Sequence, residues 1–210
     1  YEWLQNKRSE SWELEEVQMR LERRMRRSYQ TVADRARDLK PEAIGYLLKQ
    51  AELYAAFGES KKAVELYLQM QEKFAAMPAL RDSVRAKLTE LYLRGQDRKK
   101  AMEQLAAIIK DYPLNAQAYY YLGGLAFEER DYAKSAEYLG KTILLNPEFE
   151  QGYYDTAAAL INADKAKEAL ATLEKARAKF ARSFTLEYYT GLAQMRGKDY
   201  EAAVKAFTTA

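Results

Sequence analysis

Small and large apolar positions recur along the chain at one long interval. Ala101, Ser135, Ala169 and Ala203 stand 34 residues apart. Four positions on, Leu105, Leu139, Leu173 and Phe207 keep that spacing, and three further on so do Ile108, Thr142, Ala176 and Ala210. Upstream, Leu122, Thr156 and Thr190 keep step, as do their neighbours Gly123, Ala157 and Gly191. Ala63, Tyr67 and Met70 repeat the small–large–apolar trio 38 residues before the next copy. The four extra residues fall around AAMPALRDS, where Pro78 predicts a longer connection. Offsets of three and four place side chains on one face of a helix, so the pattern reads as helices rather than strands.

Each copy holds two such helical stretches separated by a breaker. The breakers are Gly58-Glu59-Ser60, Gly95-Gln96-Asp97, Arg130-Asp131, Asp164 and Gly197-Lys198-Asp199, all at one phase of the repeat. Pro113 and Pro147 stand 34 apart and end two copies, because proline cannot continue a helix. A helix of about 14 residues, a short turn and a second such helix make a hairpin. One hairpin cannot bury both faces, so stacking in register is expected.

These positions resemble the tetratricopeptide repeat family. Its signature is an aromatic, then Leu-Gly, a mid-repeat Ala, a large residue four later, an Ala and a closing Pro. The third copy supplies Tyr119, Leu122, Gly123, Ser135, Leu139, Thr142 and Pro147. The fourth supplies Tyr153, Thr156, Ala157, Leu160, Ala169, Leu173 and Ala176, with Ala181 where Pro is expected. The fifth has Gly191, Ala203 and Phe207, with Glu187 in the aromatic's place. The resemblance runs from Ile44 to Ala210 and implies an all-α, right-handed solenoid of stacked antiparallel helix hairpins. We expect an array over 41–210 with about five repeats, at 44–77, 82–115, 116–149, 150–183 and an incomplete 184–210. Since solenoids end in a helix with a polar outer face, we expect the array to continue past Ala210.

In the phrase YYYLGG, Tyr119, Leu122, Gly123 and Ala126 share one helical stripe, expected to face the partner helix. Tyr120, Gly124 and Phe127 form a second stripe, and no role is assigned to Tyr121. In the family that the chain resembles, this second face of the first helix lines a concave groove for partner peptides. Its residues recur as Tyr120, Tyr154 and Tyr188; as Gly124, Ala158 and Leu192; and as Phe127, Ile161 and Met195. Gln117 and Gln151 lie one turn before the first two tyrosines. Rungs of tyrosine over apolar floors offer contact area and a hydroxyl to an extended or helical segment. The family's two-carboxylate clamp maps onto Leu48, Glu52, Lys87, Gln117 and Tyr121, where an apolar residue and an acid replace required basic or amide groups. That argues against an acidic chaperone tail as the ligand.

Residues 1–40 carry no Gly or Pro, and Leu14, Val17, Leu21, Met25, Val32, Ala36 and Leu39 lie near one stripe. A charged amphipathic helix is expected, capping the array or mediating oligomerisation. Arg20, Arg23, Arg24, Arg26 and Arg27 cluster there, but Glu15, Glu16 and Glu22 interleave with them and no aromatic platform does. The segment therefore makes a poor nucleic-acid surface. Tyr1, Trp3, Lys7 and Arg8 resemble the edge of a membrane anchor lying upstream.

Composition narrows the chemistry. Lys and Arg total 34 against 31 Asp and Glu, a net charge of +3 that makes no case for nucleic acid or an anionic membrane. Cysteine and histidine are absent, which removes disulfides, thiolate nucleophiles and the commonest general base and metal ligand. A chain without cysteine fits cytoplasm and periplasm alike. No run of about 18 apolar residues predicts a bilayer span. Gly140-Lys141-Thr142 ends like a phosphate-binding loop, but Ser135 stands where that loop needs glycine. Glu128, Glu129 and Asp131 read as solvated or capping groups.

No catalytic residue, cofactor or metal is expected. The leading expectation is a scaffold or adaptor that binds a partner peptide or helix in its groove. The alternatives are a self-assembling homo-oligomeric module, or a regulatory arm of a larger membrane-anchored protein or enzyme.

Overall fold

A computed structural model describes residues 43–209, together with isolated helical positions at residues 16, 19, 20, 23–25 and 27. The remainder of the segment 1–40, with Tyr1, Trp3, Lys7 and Arg8, lies outside the described residues, and so does its expected role. The chain divides into two compact units, Tyr1–Gly95 and Gln96–Ala210. The described residues form an all-α solenoid of helix hairpins and contain no strand. No described helix is long and apolar enough to cross a membrane.

The first unit contains α1 (Ala43–Ala56), α2 (Ser60–Lys73) and α3 (Pro78–Arg94), with α2 packed between the other two. Ala51, Ala63, Val84 and Leu88 are fully enclosed at its centre, and Tyr67 and Met70 nearly so. The expected longer connection at Pro78 is largely helix instead. Pro78 opens α3, which extends over 17 residues. Proline is suited to that place because the first-turn N–H groups have no helical acceptor in any case.

The second unit contains α4 (Arg98–Asp111), α5 (Ala116–Glu128), α6 (Tyr132–Leu145), α7 (Glu150–Asn162), α8 (Ala166–Lys179), α9 (Phe184–Arg196) and α10 (Tyr200–Thr209). Each helix packs on the next, and α7 also touches α9, so these two first helices meet. The 34-residue series forms the buried stripe: Ala101 and Leu105 on α4, Ser135, Leu139 and Thr142 on α6, and Ala169, Leu173 and Ala176 on α8. Ser135 is polar but satisfied, since its Oγ donates to the Gly123 carbonyl at 2.8 Å.

Among the described residues, the short turns before α2, α4, α6, α8 and α10 each use the left-handed backbone region at one residue. Gly58, Gln96, Arg130, Asp164 and Lys198 have φ between 58° and 76°. Only the first is a glycine, for which that region carries no steric cost. The next residue then caps the second helix in three copies. The side chains of Asp97, Asp131 and Asp199 accept from the backbone N–H of Lys100, Lys134 and Ala202. The acid cluster noted at 128–131 is thus accounted for by a cap at Asp131 and by a Glu128–Arg98 pair at 2.6 Å.

Gly123 marks the closest approach of α5 to α6. A Cβ there would stand 2.5 Å from Leu139 Cγ and 3.3 Å from the Leu139 backbone nitrogen. Gly191 meets the Phe207 ring in the same way, at 2.6 Å. Leu139 is buried, whereas Phe207 is exposed and can swing outward. Gly123→Ala is therefore expected to destabilise by about 1–3 kcal/mol despite its better helix propensity. Gly191→Ala should fall below that range. Urea unfolding of both variants checks the ordering.

Glu187, standing where the repeat has its aromatic, is 3% exposed. Both its oxygens accept from Arg177, and Arg182 Nε donates to Oε1 at 2.9 Å. Arg177 also donates to Thr190 Oγ1 at 3.3 Å. The hydrogen bond from Arg177, joined by that from Arg182, holds the carboxyl below its ordinary value against the opposing effect of burial. A depressed carboxylate stabilises the fold above its unfolded value, about 4.3, and loses that contribution as pH falls through the folded value. Glu187→Gln should cost about 1–2 kcal/mol at pH 7, because charge-assisted hydrogen bonds are lost while both arginines still reach water. The variant should also lose less stability than the parent between pH 5 and 2, as read by denaturant midpoints.

Candidate partner-binding face

The expected groove residues lie on the first helices α5, α7 and α9 of the second unit. Asn115 and Ser183 start two of these helices by accepting from the N–H groups of Ala118 and Leu186. Gln117 and Gln151 are exposed. Gly124 is open, with nothing within 4 Å of an added Cβ. Phe127, Ala158, Ile161 and Leu192 are half-buried.

The three tyrosines expected at one level differ in setting. Tyr120 is half-buried, its ring edge-on to Phe149 at 5.0 Å. Tyr188 is 42% exposed and stacks on Phe184 at 5.8 Å. Tyr154, expected on the open face with them, is instead buried at 3% exposure. The reason is the Tyr189 ring, which stacks on it at 6.1 Å, while Ser183 Oγ lies 3.2 Å from its hydroxyl. That hydroxyl also donates to Glu150.

The neighbours of the first expected rung divide cleanly. Tyr119 is half-buried against Tyr138, at 6.4 Å between ring centroids, and Tyr121 is exposed. Leu122, Gly123 and Ala126 are buried.

Asp155 joins these pieces. It accepts from the Tyr120 hydroxyl at 2.9 Å and from Gln151 Nε2 at 2.8 Å, linking α5 to α7. Burial, then the bond to Asp155, pushes the Tyr120 hydroxyl up to about 12. Sequence reasoning did not assign Asp155, Tyr189 or Phe184. The available signal was spacing, because Tyr121, Asp155 and Tyr189 stand 34 apart, beside the tyrosine series.

The sequence profile of the Tetratricopeptide repeat family matches residues 88–144 and 154–210, more than half of the chain. The chain belongs to the tetratricopeptide repeat family. No curated protein matches its sequence. Among solved structures, the repeat array is similar to a MamA protein, with 20% identity and a TM-score of 0.67. That match covers 80% of this chain and 90% of MamA. It is also similar to YrrB, described as a TPR protein with an unusual peptide-binding site, at 16% identity and a TM-score of 0.62. There the coverage is 77% of this chain and 81% of YrrB. A tetratricopeptide repeat protein from Parabacteroides merdae ATCC 43184 matches at 15% identity and a TM-score of 0.67, over 79% of this chain and 64% of its own. At these identities the likeness establishes the fold.

Within the repeat, the Tyr120–Asp155 bond ties neighbouring copies together. Tyr120→Phe should lower stability by about 1 kcal/mol. Below the ordinary tyrosine value of 10 both folded and unfolded chains hold the proton. As pH rises from 10 through about 12 the unfolded chain ionises first, so the parent loses stability over that window. Ultraviolet titration of parent against Tyr120→Phe should show one phenol fewer ionising near pH 12.

Proposed function

We propose that the chain is a non-catalytic scaffold that holds a segment of a partner protein against the first-helix face of repeats three to five. Tetratricopeptide repeat proteins are generally non-catalytic protein-interaction scaffolds, which supports the general role. The observation that carries the finer reading is a stripe on α9. Phe184, Tyr188, Leu192 and Met195 follow one another at helical spacing, and all but the half-buried Leu192 are exposed, Met195 at 47%. Scattered apolar residues on a surface need no explanation, but a contiguous stripe with stacked rings is characteristic of a docking face.

The roles divide by exposure. Tyr188, Leu192 and Met195 provide the anchors, and Phe127 and Ile161 continue the apolar floor on α5 and α7. Tyr120 presents a ring edge, Gln117 and Gln151 serve polar contacts, and the small residues Gly124 and Ala158 let a partner approach the helices closely. Tyr154 acts as the buried backing that keeps Tyr189 and α9 in place. A methionine beside tyrosines suits an apolar partner surface, since the thioether adapts its shape and the rings lose little freedom on binding. The resemblance to YrrB, whose description names a peptide-binding site, points the same way.

Peptides selected from a displayed library on the full chain provide the test, with affinity measured by fluorescence anisotropy. Tyr188→Ala with Met195→Ala should weaken a selected peptide at least tenfold, about 1.4 kcal/mol or more. Leu144→Ala, an exposed apolar change on α6, should leave binding unchanged. Equal affinity for all three proteins overturns the reading.

A further inference from the structure

A cavity of about 390 Å³ lies within the first unit, between α1, α2 and α3. It is at the small end of the range of roughly 300–1,000 Å³ that ligand clefts occupy, a size for one side chain or a small amine. Tyr67 of α2 lines it, only 1% exposed, and its hydroxyl has no hydrogen-bond partner among the described residues. Glu52 of α1 and Glu90 of α3 line it as well, with Lys87 and Arg94.

We propose that this cavity is a receptor for one basic side chain, a lysine ammonium or an arginine guanidinium, presented by a partner segment. The site stands on residues of the first unit and does not depend on the tyrosine face of α5, α7 and α9.

Three observations converge on a cation. A buried hydroxyl without a partner is costly, and native structures leave few of them unless something else completes the bond. The phenol oxygen can accept from an incoming N–H while its own proton remains available for a carboxylate. The surrounding charge is the second observation. Burial, followed by the nearby Glu52 and Glu90 carboxylates, pushes the Tyr67 hydroxyl up to about 12. Beside the phenol a cation would meet Glu52, Glu90 and an acceptor oxygen, in exchange for Lys87 and Arg94, which also line the cavity and now face Glu90.

The third is the repeat register. Glu52 and Glu90 stand 38 apart, like Ala63 and Ala101, and occupy the level that holds Gly124, Ala158 and Leu192 in the later copies. Tyr67 stands where the later copies carry Leu105, Leu139, Leu173 and Phe207. Two acids and a hydroxyl therefore replace apolar residues or glycine together, at one junction.

The existing ion pairs do not fill the role. Arg94 pairs with Glu90 at 2.7 Å, Lys87 approaches Glu90 at 3.9 Å, and Lys49 pairs with Glu52 at 3.2 Å. All of these side chains reach water, and exposed pairs of this kind contribute little, so an entering cation can exchange with them.

The test uses the full chain and ligand-observed NMR. The probes are N-acetyl-arginine methylamide, N-acetyl-lysine methylamide, the neutral N-acetyl-norleucine methylamide, N-acetyl-glutamate methylamide and free putrescine. Both basic probes should bind saturably and the neutral and acidic ones should not. Affinity for the basic probes should fall at least tenfold in the Glu52→Gln, Glu90→Gln double variant. It should fall at least threefold in Tyr67→Phe, which keeps both carboxylates and the packing of the ring. No saturable binding of either basic probe, binding of the acidic probe instead, or unchanged affinity in Tyr67→Phe overturns the proposal. Tighter binding of putrescine than of both basic probes overturns the partner side chain in favour of a free polyamine. Because the probes are single residues, failure here is separate from failure of the α9 peptide test.

Discussion

Two helices joined by a short turn can close on each other only where one gives up its side chain. In this protein that requirement is met by a line of small residues: Ala63, Ala101, Ser135 and Ala169 are wholly enclosed and Ala203 nearly so. Gly123 carries the requirement furthest, since even a methyl group would enter the volume of Leu139. Within each unit, close packing at these points brings second helices against first helices and leaves the opposite side of the first helix free. The candidate partner-binding face on α5, α7 and α9 is the side left over once that packing is satisfied.

The fold was legible because packing repeats. A position that must be small in one copy must be small in the next, so the interval of 34 could be read from Ala101, Ser135, Ala169 and Ala203 without any neighbour being known. The turns were legible as breakers but not as conformations. Gln96, Arg130 and Lys198 are poor candidates for a left-handed backbone on residue type alone, although Asp164 is a better one. Pro78 was misread for a related reason, because proline marks both the end of one element and the first turn of the next.

The candidate sites were less legible than the fold. A helical stripe gives direction but not depth. Tyr120, Tyr154 and Tyr188 share a phase, yet a ring from the adjacent position of the next copy, Tyr189, covers only Tyr154. Asp155 was invisible as a ligand of Tyr120 because the contact crosses between copies, 35 residues apart. Glu187 illustrates the opposite case. Its departure from the aromatic pattern was evident, but the arginines that make a buried acid tolerable lie 10 and 5 residues before it in the preceding helix and connection. Glu52 stood out as an acid in the mapped clamp, but its pairing in register with Glu90 has no counterpart in the later copies, where the same level is neutral.

The tight bend between helices also bears on how the chain acquires its structure. With one left-handed residue and an aspartate cap at several corners, a hairpin can close from contacts a few dozen residues apart. Short loops cost little entropy, and a chain rich in such neighbourly contacts reaches its native arrangement quickly. Cooperativity then spreads from hairpin to hairpin through shared faces such as that of α7 on α9. An array of this kind opens from its margins inward, so amide protons on central helices should outlast those on peripheral ones in deuterated solvent.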